Sequence, residues 1–314
     1  MKKTFKIIII TLLCLALIYT GAALSGRLIY ADFYRIAGFE HKYQGTNRGF
    51  VPQGITLPDG EETVIVCGYM NKEGPSRLYL CTGGKTMRAD LKQEDGSDYT
   101  GHAGGLTAAG NYVYISNAHK LFVLELSEVL SAKNGDTLAF KGHIDVPVNA
   151  SYCSSDGEYL YVGEYHAPGY DTDESHTAQS ADGEYRAYTV AYKLNKTAPL
   201  GIEGEPVMTF AHTDCVQGFA SLGEGRYAVS CSRGFESSRL RIYEVGEITE
   251  NASPVILDST NLLREIKMPR MSEDLEYREG RLFVGFESCA KKFGLGLLPL
   301  SINKTACLDT DRLL

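Results

Sequence analysis

The chain has 314 residues, a net charge of −8 and a pI near 5.5. It therefore lacks the Lys and Arg surplus that phosphate contacts need, which excludes nucleic acid as a partner. Tyr is abundant at 20, Gly reaches 33 and Trp is absent, a composition that suits short strands joined by tight turns.

Lys2, Lys3 and Lys6 precede an apolar run of 18 residues from Ile7 to Leu24. A basic front followed by such a run is the layout of a secretory signal or a signal anchor, and the run is near the minimum that spans a bilayer. Ala23-Leu24-Ser25 offers a cleavage site before Gly26. With the lysines inside, the body of the chain lies outside. The expected protein is extracytoplasmic, either secreted or membrane-anchored. Residues 1–25 form the signal or anchor, and residues 26–314 form a single domain large enough to bury a full core.

A repeat organises that domain. Residues 52–69 (PQGITLPDGEETVIVCGY), 102–118 (HAGGLTAAGNYVYISNA), 149–165 (NASYCSSDGEYLYVGEY), 216–232 (VQGFASLGEGRYAVSCS) and 273–288 (EDLEYREGRLFVGFES) share one plan. Each has a short run, a Gly-containing turn, and a second run rich in β-branched and aromatic residues. The turn glycines Gly60, Gly110, Gly157, Gly225 and Gly280 are separated by 50, 47, 68 and 55 residues. A period near 50 built on strand-turn-strand units points to a β-propeller.

Third runs follow at 76–82, 120–126, 185–194 and 238–245, and weaker fourth runs at 137–146, 205–211 and 253–258. LSEVLSA (126–132) is at most a short helix. Only 26 residues follow Ser288, so the strand-like segment 33–44 is expected to join the last blade and close the ring, which removes exposed sheet edges. The expected fold is all-β, a five-bladed propeller. Six blades remain open if the stretch between Gly157 and Gly225 hides a degenerate blade, although its polar part, 166–184, reads as a loop or lid.

Eight cysteines are present. Cys67 with Cys81, and Cys215 with Cys231, flank hairpin tips and are either cross-strand disulfides or buried thiols.

In a propeller, the starts of the inner strands and the links between second and third strands share one face. That geometry gathers Gln53, His102, Asn149, Gln217 and Glu273 with Asn117, Glu164, His166, Arg233 and Glu287 at one funnel mouth. Arg233 suits an anionic group. Glu273, Glu287 and His102 are the candidate catalytic residues, the carboxylates as general bases and the imidazole as a proton shuttle.

At PQGI, VQGF and EDLEYREGRLFV the chain resembles the glutamine cyclotransferases of plant and bacterial type. Those are five-bladed propellers, and the resemblance implies cyclisation of N-terminal glutamine. By residue type the chain is also similar to gluconolactonase-type propellers. That likeness implies Asn117, Asn149, Glu273 and Glu287 as ligands of a divalent cation on the propeller axis. The residues by themselves leave the cofactor unassigned. Two functions follow as expectations: a membrane-tethered module binding a small polar ligand, peptide or glycan, or a propeller enzyme, either a metal-dependent hydrolase or lactonase or a glutaminyl-cyclotransferase-like one.

Overall fold

A computed structural model of the chain describes residues 2–246, 248–294 and 300–313. Helix α1 (Lys2–Ile29) contains the apolar run, and a short helix α2 (Ala31–Ile36) leads into strand β1 (Ala37–Lys42). Beyond them stand five blades. Their inner strands are Phe50–Thr56, Gly105–Ala109, Ala150–Ser155, Val216–Gly223 and Ser272–Arg278, defining blades 1 to 5. Each inner strand pairs with the strand after its turn, and all five turn glycines hold positive φ, between 58° and 88°. That conformation is open to glycine at little cost, which is why the repeat is visible in the sequence at all.

The ring closes within blade 5. Its order is β1, Lys304–Asp309, Arg281–Phe286, Ser272–Arg278, with Ala37 opposite Leu308. The expected strand 33–44 is thus helical up to Ile36, because Phe33 and Ile36 bury on one side of α2 at a helical spacing.

Two other expectations change. Of the run 137–146, Asp136–Ala139 adds to blade 1 in parallel while Gly142–Asp145 is the fourth strand of blade 2. The run 253–258 supplies only Val255–Ile256, which adds to blade 3. The fourth strand of blade 4 is Leu262–Met268, where the charges of Arg264, Glu265 and Lys267 disguise an edge strand.

The cysteine pairs do not form. Cys67 lies opposite Leu78 and Cys81 opposite Val64, so the two thiols are three positions out of register. Cys231 faces Val216, one residue beyond Cys215. All eight cysteines are free.

The blades pack through their inner strands. At the two Gln-Gly starts a side chain has no room. A Cβ on Gly54 would lie 2.4 Å from the backbone nitrogen of Leu106, and one on Gly218 would lie 2.8 Å from that of Leu275. Between blades 3 and 4, Tyr161, Phe210, Phe219 and Tyr227 form an aromatic cluster with ring centroids 4.8–6.3 Å apart.

On the axis, away from the mouth, Arg278 of blade 5 closes the channel. It donates to Leu57 O (3.0 Å, blade 1), Ala108 O (2.9 Å, blade 2) and Ser155 O (3.1 Å, blade 3). It also pairs with the buried carboxylate of Glu276 at 2.9 Å, which accepts from Thr56 and Thr107. One level up, Asp274 Oδ2 accepts from the backbone N–H of Leu106 (2.9 Å) and Ile55 (3.3 Å). Removing Arg278 strands three carbonyls and leaves the buried Glu276 carboxyl without its cationic neighbour. Arg278→Met is therefore expected to lose about 3–5 kcal/mol of stability in urea unfolding, with Arg278→Lys intermediate. An unchanged midpoint in Arg278→Met would show that the channel floor is not held in this way.

Candidate functional site

The opposite end of the channel opens into a cavity of about 610 Å³. Its wall includes Gln53, His102, Asn117, Asn149, Gln217, Arg233, Glu273 and Glu287, eight of the ten residues that the repeat places there. A backbone device aims several of them. The inner strands of blades 1, 3, 4 and 5 each break register near their start, between Pro52 and Ile55, Ala150 and Tyr152, Val216 and Gly218, and Ser272 and Leu275. These bulges turn Gln53, Ser151, Gln217 and Glu273 toward the axis.

Glu164 and His166 do not face the cavity. The carboxylate of Glu164 is buried, accepting from Asn149 N (3.3 Å), Tyr188 N (3.1 Å) and His176 Nδ1 (2.7 Å). His166 Nδ1 meets Asp214 at 2.8 Å. Alternation along an extended chain turns Tyr165, the residue between them, into the cavity instead. The segment 166–184 is therefore tied down at its base, His176 stacking on Tyr188 at 4.9 Å. The hydrogen bond to Glu164 holds the His176 imidazole above its ordinary pKa.

The chemistry concentrates between blades 5 and 1. Glu273 and Glu287 share a hydrogen bond. Burial raises the Glu273 carboxyl far above its usual range, and the Glu287 carboxylate beside it adds to that. Burial also pushes Glu287 up to about 7, against the pull of Lys292, of the Gln53 amide and of the Glu273 carboxyl. Glu273 is thus the proton-bearing donor and Glu287 the partner that titrates near neutrality. Gln53 Nε2 donates to Glu287 Oε2 at 2.9 Å and to Pro52 O at 2.9 Å.

Tyr69 stacks on His102 at 4.6 Å and takes the Lys292 ammonium on its hydroxyl and over its ring. The His102 ring opens onto the cavity but is crowded by the funnel wall. That desolvation, with Lys292 nearby, lowers it to about 4. At neutral pH it is an uncharged stacking and hydrogen-bonding group, and Asn117 Oδ1 fixes its loop by accepting from the His102 N–H at 2.8 Å.

On the far side, Arg233 lines the wall with Tyr165 and Tyr170, whose rings lie 5.6 Å apart. Among the described residues Arg233 has no acidic partner within ion-pair distance, and no group of three or more His, Cys, Asp and Glu is arranged to hold a metal. Of the four residues expected to hold a cation, Asn117 Oδ1 accepts from His102 N and Glu287 Oε2 accepts from Gln53 Nε2.

Sequence reasoning missed Tyr69, Ser151, Tyr165, Tyr170 and Lys292. For Tyr69 and Tyr165 the signal was present, since strand parity selects them. Lys292 sits in the short turn Lys291–Phe293, which no repeat position marks.

No family model matches the chain, and no curated relative matches it. Among solved structures it is similar to the PQQ-bound aldose sugar dehydrogenase of Streptomyces coelicolor. The identity is 14%, the match covers 87% of this chain and 97% of that one, and the TM-score is 0.47. It is also similar to Kuenenia stuttgartiensis hydrazine synthase at 8% identity, over 87% and 90% of the two chains, with a TM-score of 0.35. Neither is a glutamine cyclotransferase or a gluconolactonase. The blade count of this chain rests on its own strand pairing.

The raised carboxyls give a pH dependence with a definite sign. Glu287 moves from 4.5 to about 7, and Glu276, through burial opposed by Arg278, to about 8. Above 4.5 the unfolded chain has released protons that the folded state still binds, so stability falls as pH rises. The urea midpoint is expected to drop steadily from about pH 5 to about pH 8, and Glu287→Gln to flatten the part of the slope below about pH 7. A midpoint that rises over that interval would contradict the assignment.

Proposed function

We propose that this chain is a membrane-tethered, extracytoplasmic binding domain whose funnel takes a small polar ligand, the end of a peptide or a glycan. An anionic group of the ligand lies against Arg233. Gln53, Gln217, Asn149 and Ser151 meet its hydroxyl or amide groups, and the tyrosine faces cover its apolar surface. The observation that carries this reading is a cationic guanidinium in the wall of a roomy polar cavity with no carboxylate paired to it among the described residues. Charge-assisted, bidentate contact with a carboxylate or phosphate is what such an arginine does well. The apolar run of α1, open along its length, supports the tether.

A second reading has its own support. A titrating carboxyl near neutrality beside a protonated one is an acid–base pair, and Glu287 would then act as general base with Glu273 as its proton-sharing partner. The reactions to try are those implied by the two resemblances, cyclisation of N-terminal glutamine and hydrolysis of a lactone.

The full-length protein in detergent is to be screened by thermal shift against anionic sugars and short peptides. A stabilising anionic ligand is expected, with Arg233→Ala weakening its binding by about tenfold or more and Glu287→Gln leaving affinity within about twofold. Absence of any anionic ligand, or indifference to Arg233→Ala, would remove the binding reading. Turnover of a glutaminyl peptide or lactone that Glu287→Gln abolishes without unfolding would put the enzyme reading first.

A further inference from the structure

The face from which α1 leaves the domain is the face that carries the funnel. In a propeller the inner strands start at the mouth, and the links from second to third strand return there. The end of α1 touches two of those links. Gly26 packs so closely on Leu300, in the blade 5 link, that a Cβ would meet Leu300 Cδ1 at 2.2 Å. Tyr30 hydrogen-bonds Ser237, in the blade 4 link, at 3.0 Å. Phe33 then enters the core against Phe286, at the mouth end of its strand, with ring centroids 6.0 Å apart.

No linker separates helix from domain. The apolar run from Ile7 to Leu24 rises roughly 27 Å, about the hydrocarbon thickness of a bilayer, and Gly26 is already seated on the propeller. If α1 spans a membrane, the mouth face lies at its surface.

That face is built for the position. Outside α1, the exposed large apolar side chains among the described residues are Tyr170, Phe235 and Leu263, at 65%, 64% and 50% exposure. Two of the three, Tyr170 and Phe235, sit on mouth loops. Arg270 lies over the Phe235 ring at 5.7 Å, and Lys267 over that of Tyr30 at 6.0 Å. Lys291 is exposed on the blade 5 link. Phe235 beside Arg270, and Tyr30 beside Lys267, have the composition of a membrane–water boundary. Glu236 lies beside Phe235, and the exposed Asp171, Asp173 and Glu174 follow Tyr170, so the surface is mixed in charge and its basic side lies toward the exit of α1.

We propose that the funnel rim is a membrane-docking surface, with Phe235 and Tyr170 inserted at the interface and Lys267, Arg270 and Lys291 on anionic headgroups. The funnel then opens onto the bilayer, and its ligand arrives along the membrane plane. This rests on the tethered reading of α1.

The chain's lack of Trp supplies the test. The full chain carrying Phe235→Trp is placed in phosphatidylglycerol nanodiscs with acyl-brominated lipid. A blue-shifted emission and about a twofold or greater quenching by the brominated lipid are expected for insertion to interfacial depth. Leu263→Trp, at the other end of the same blade, is expected to stay unquenched. Tyr170→Trp repeats the test at a second rim site should Phe235→Trp fold poorly. Charge reversal of Lys267, Arg270 and Lys291 to Glu is expected to reduce the quenching. Equal exposure of the rim and Leu263 probes in a chain whose intact mass retains α1 would overturn the docking surface while leaving the tether. A mature mass lacking α1 would overturn both.

Discussion

The structure depends on how the buried polar groups of five inner strands are matched where the strands meet on one axis, with Asp274 Oδ1 left without a hydrogen-bond partner among the described residues. Arg278 solves the problem at the closed end. Its planar guanidinium reaches carbonyls from three other blades while pairing with Glu276 on its own strand. A lysine offers no such fork of fixed donors. Asp274 answers the complementary need one level up, accepting two backbone N–H groups from blades 1 and 2. A single strand, Ser272–Arg278, thus supplies the acceptor for stray donors and the donor for stray acceptors.

The same strand explains the character of the open end. Burial on the axis raises the carboxyl pKa values, because it penalises the charged form, and an ionised neighbour adds to the penalty at Glu273. Glu273 bears a proton for that reason, and Glu287 is left to titrate near neutrality under the opposing influence of Lys292 and Gln53. The electrostatics of the funnel are therefore a by-product of the way the ring is held, tuned at the rim by one lysine and one amide. The cavity has an acidic, proton-sharing side on blades 5 and 1. Its cationic, aromatic side lies on blades 3 and 4.

Much of this was legible in the sequence, because the local demands were chemical. Positive φ at Gly60, Gly110, Gly157, Gly225 and Gly280 is a backbone requirement that shows at a fixed spacing. The Gln-Gly starts record a close approach of strands at Gly54 and Gly218. What escaped depends on parity and on contacts far apart in the chain. Glu164 and His166 looked like mouth residues by position, but one step of strand alternation gives that place to Tyr165. Leu262–Met268 hid its alternation behind three charges. Cys67 and Cys81 sit symmetrically about a hairpin yet miss each other by three positions of register. Lys292 belongs to an irregular turn with no counterpart in other blades.

The closure of blade 5 by β1 carries a consequence for how the molecule comes into being. β1 is made long before its pairing partner Lys304–Asp309. Until those residues emerge, the third-strand position beside Arg281–Phe286 stays vacant and the ring cannot shut. The defining contact spans nearly the whole chain, so folding is governed by long loop closure and is slow for a domain of this size. In the interval an unpaired sheet edge is open to wrong partners. Removal of Lys304–Asp309 would leave β1 without a strand to pair with and a propeller that never finishes.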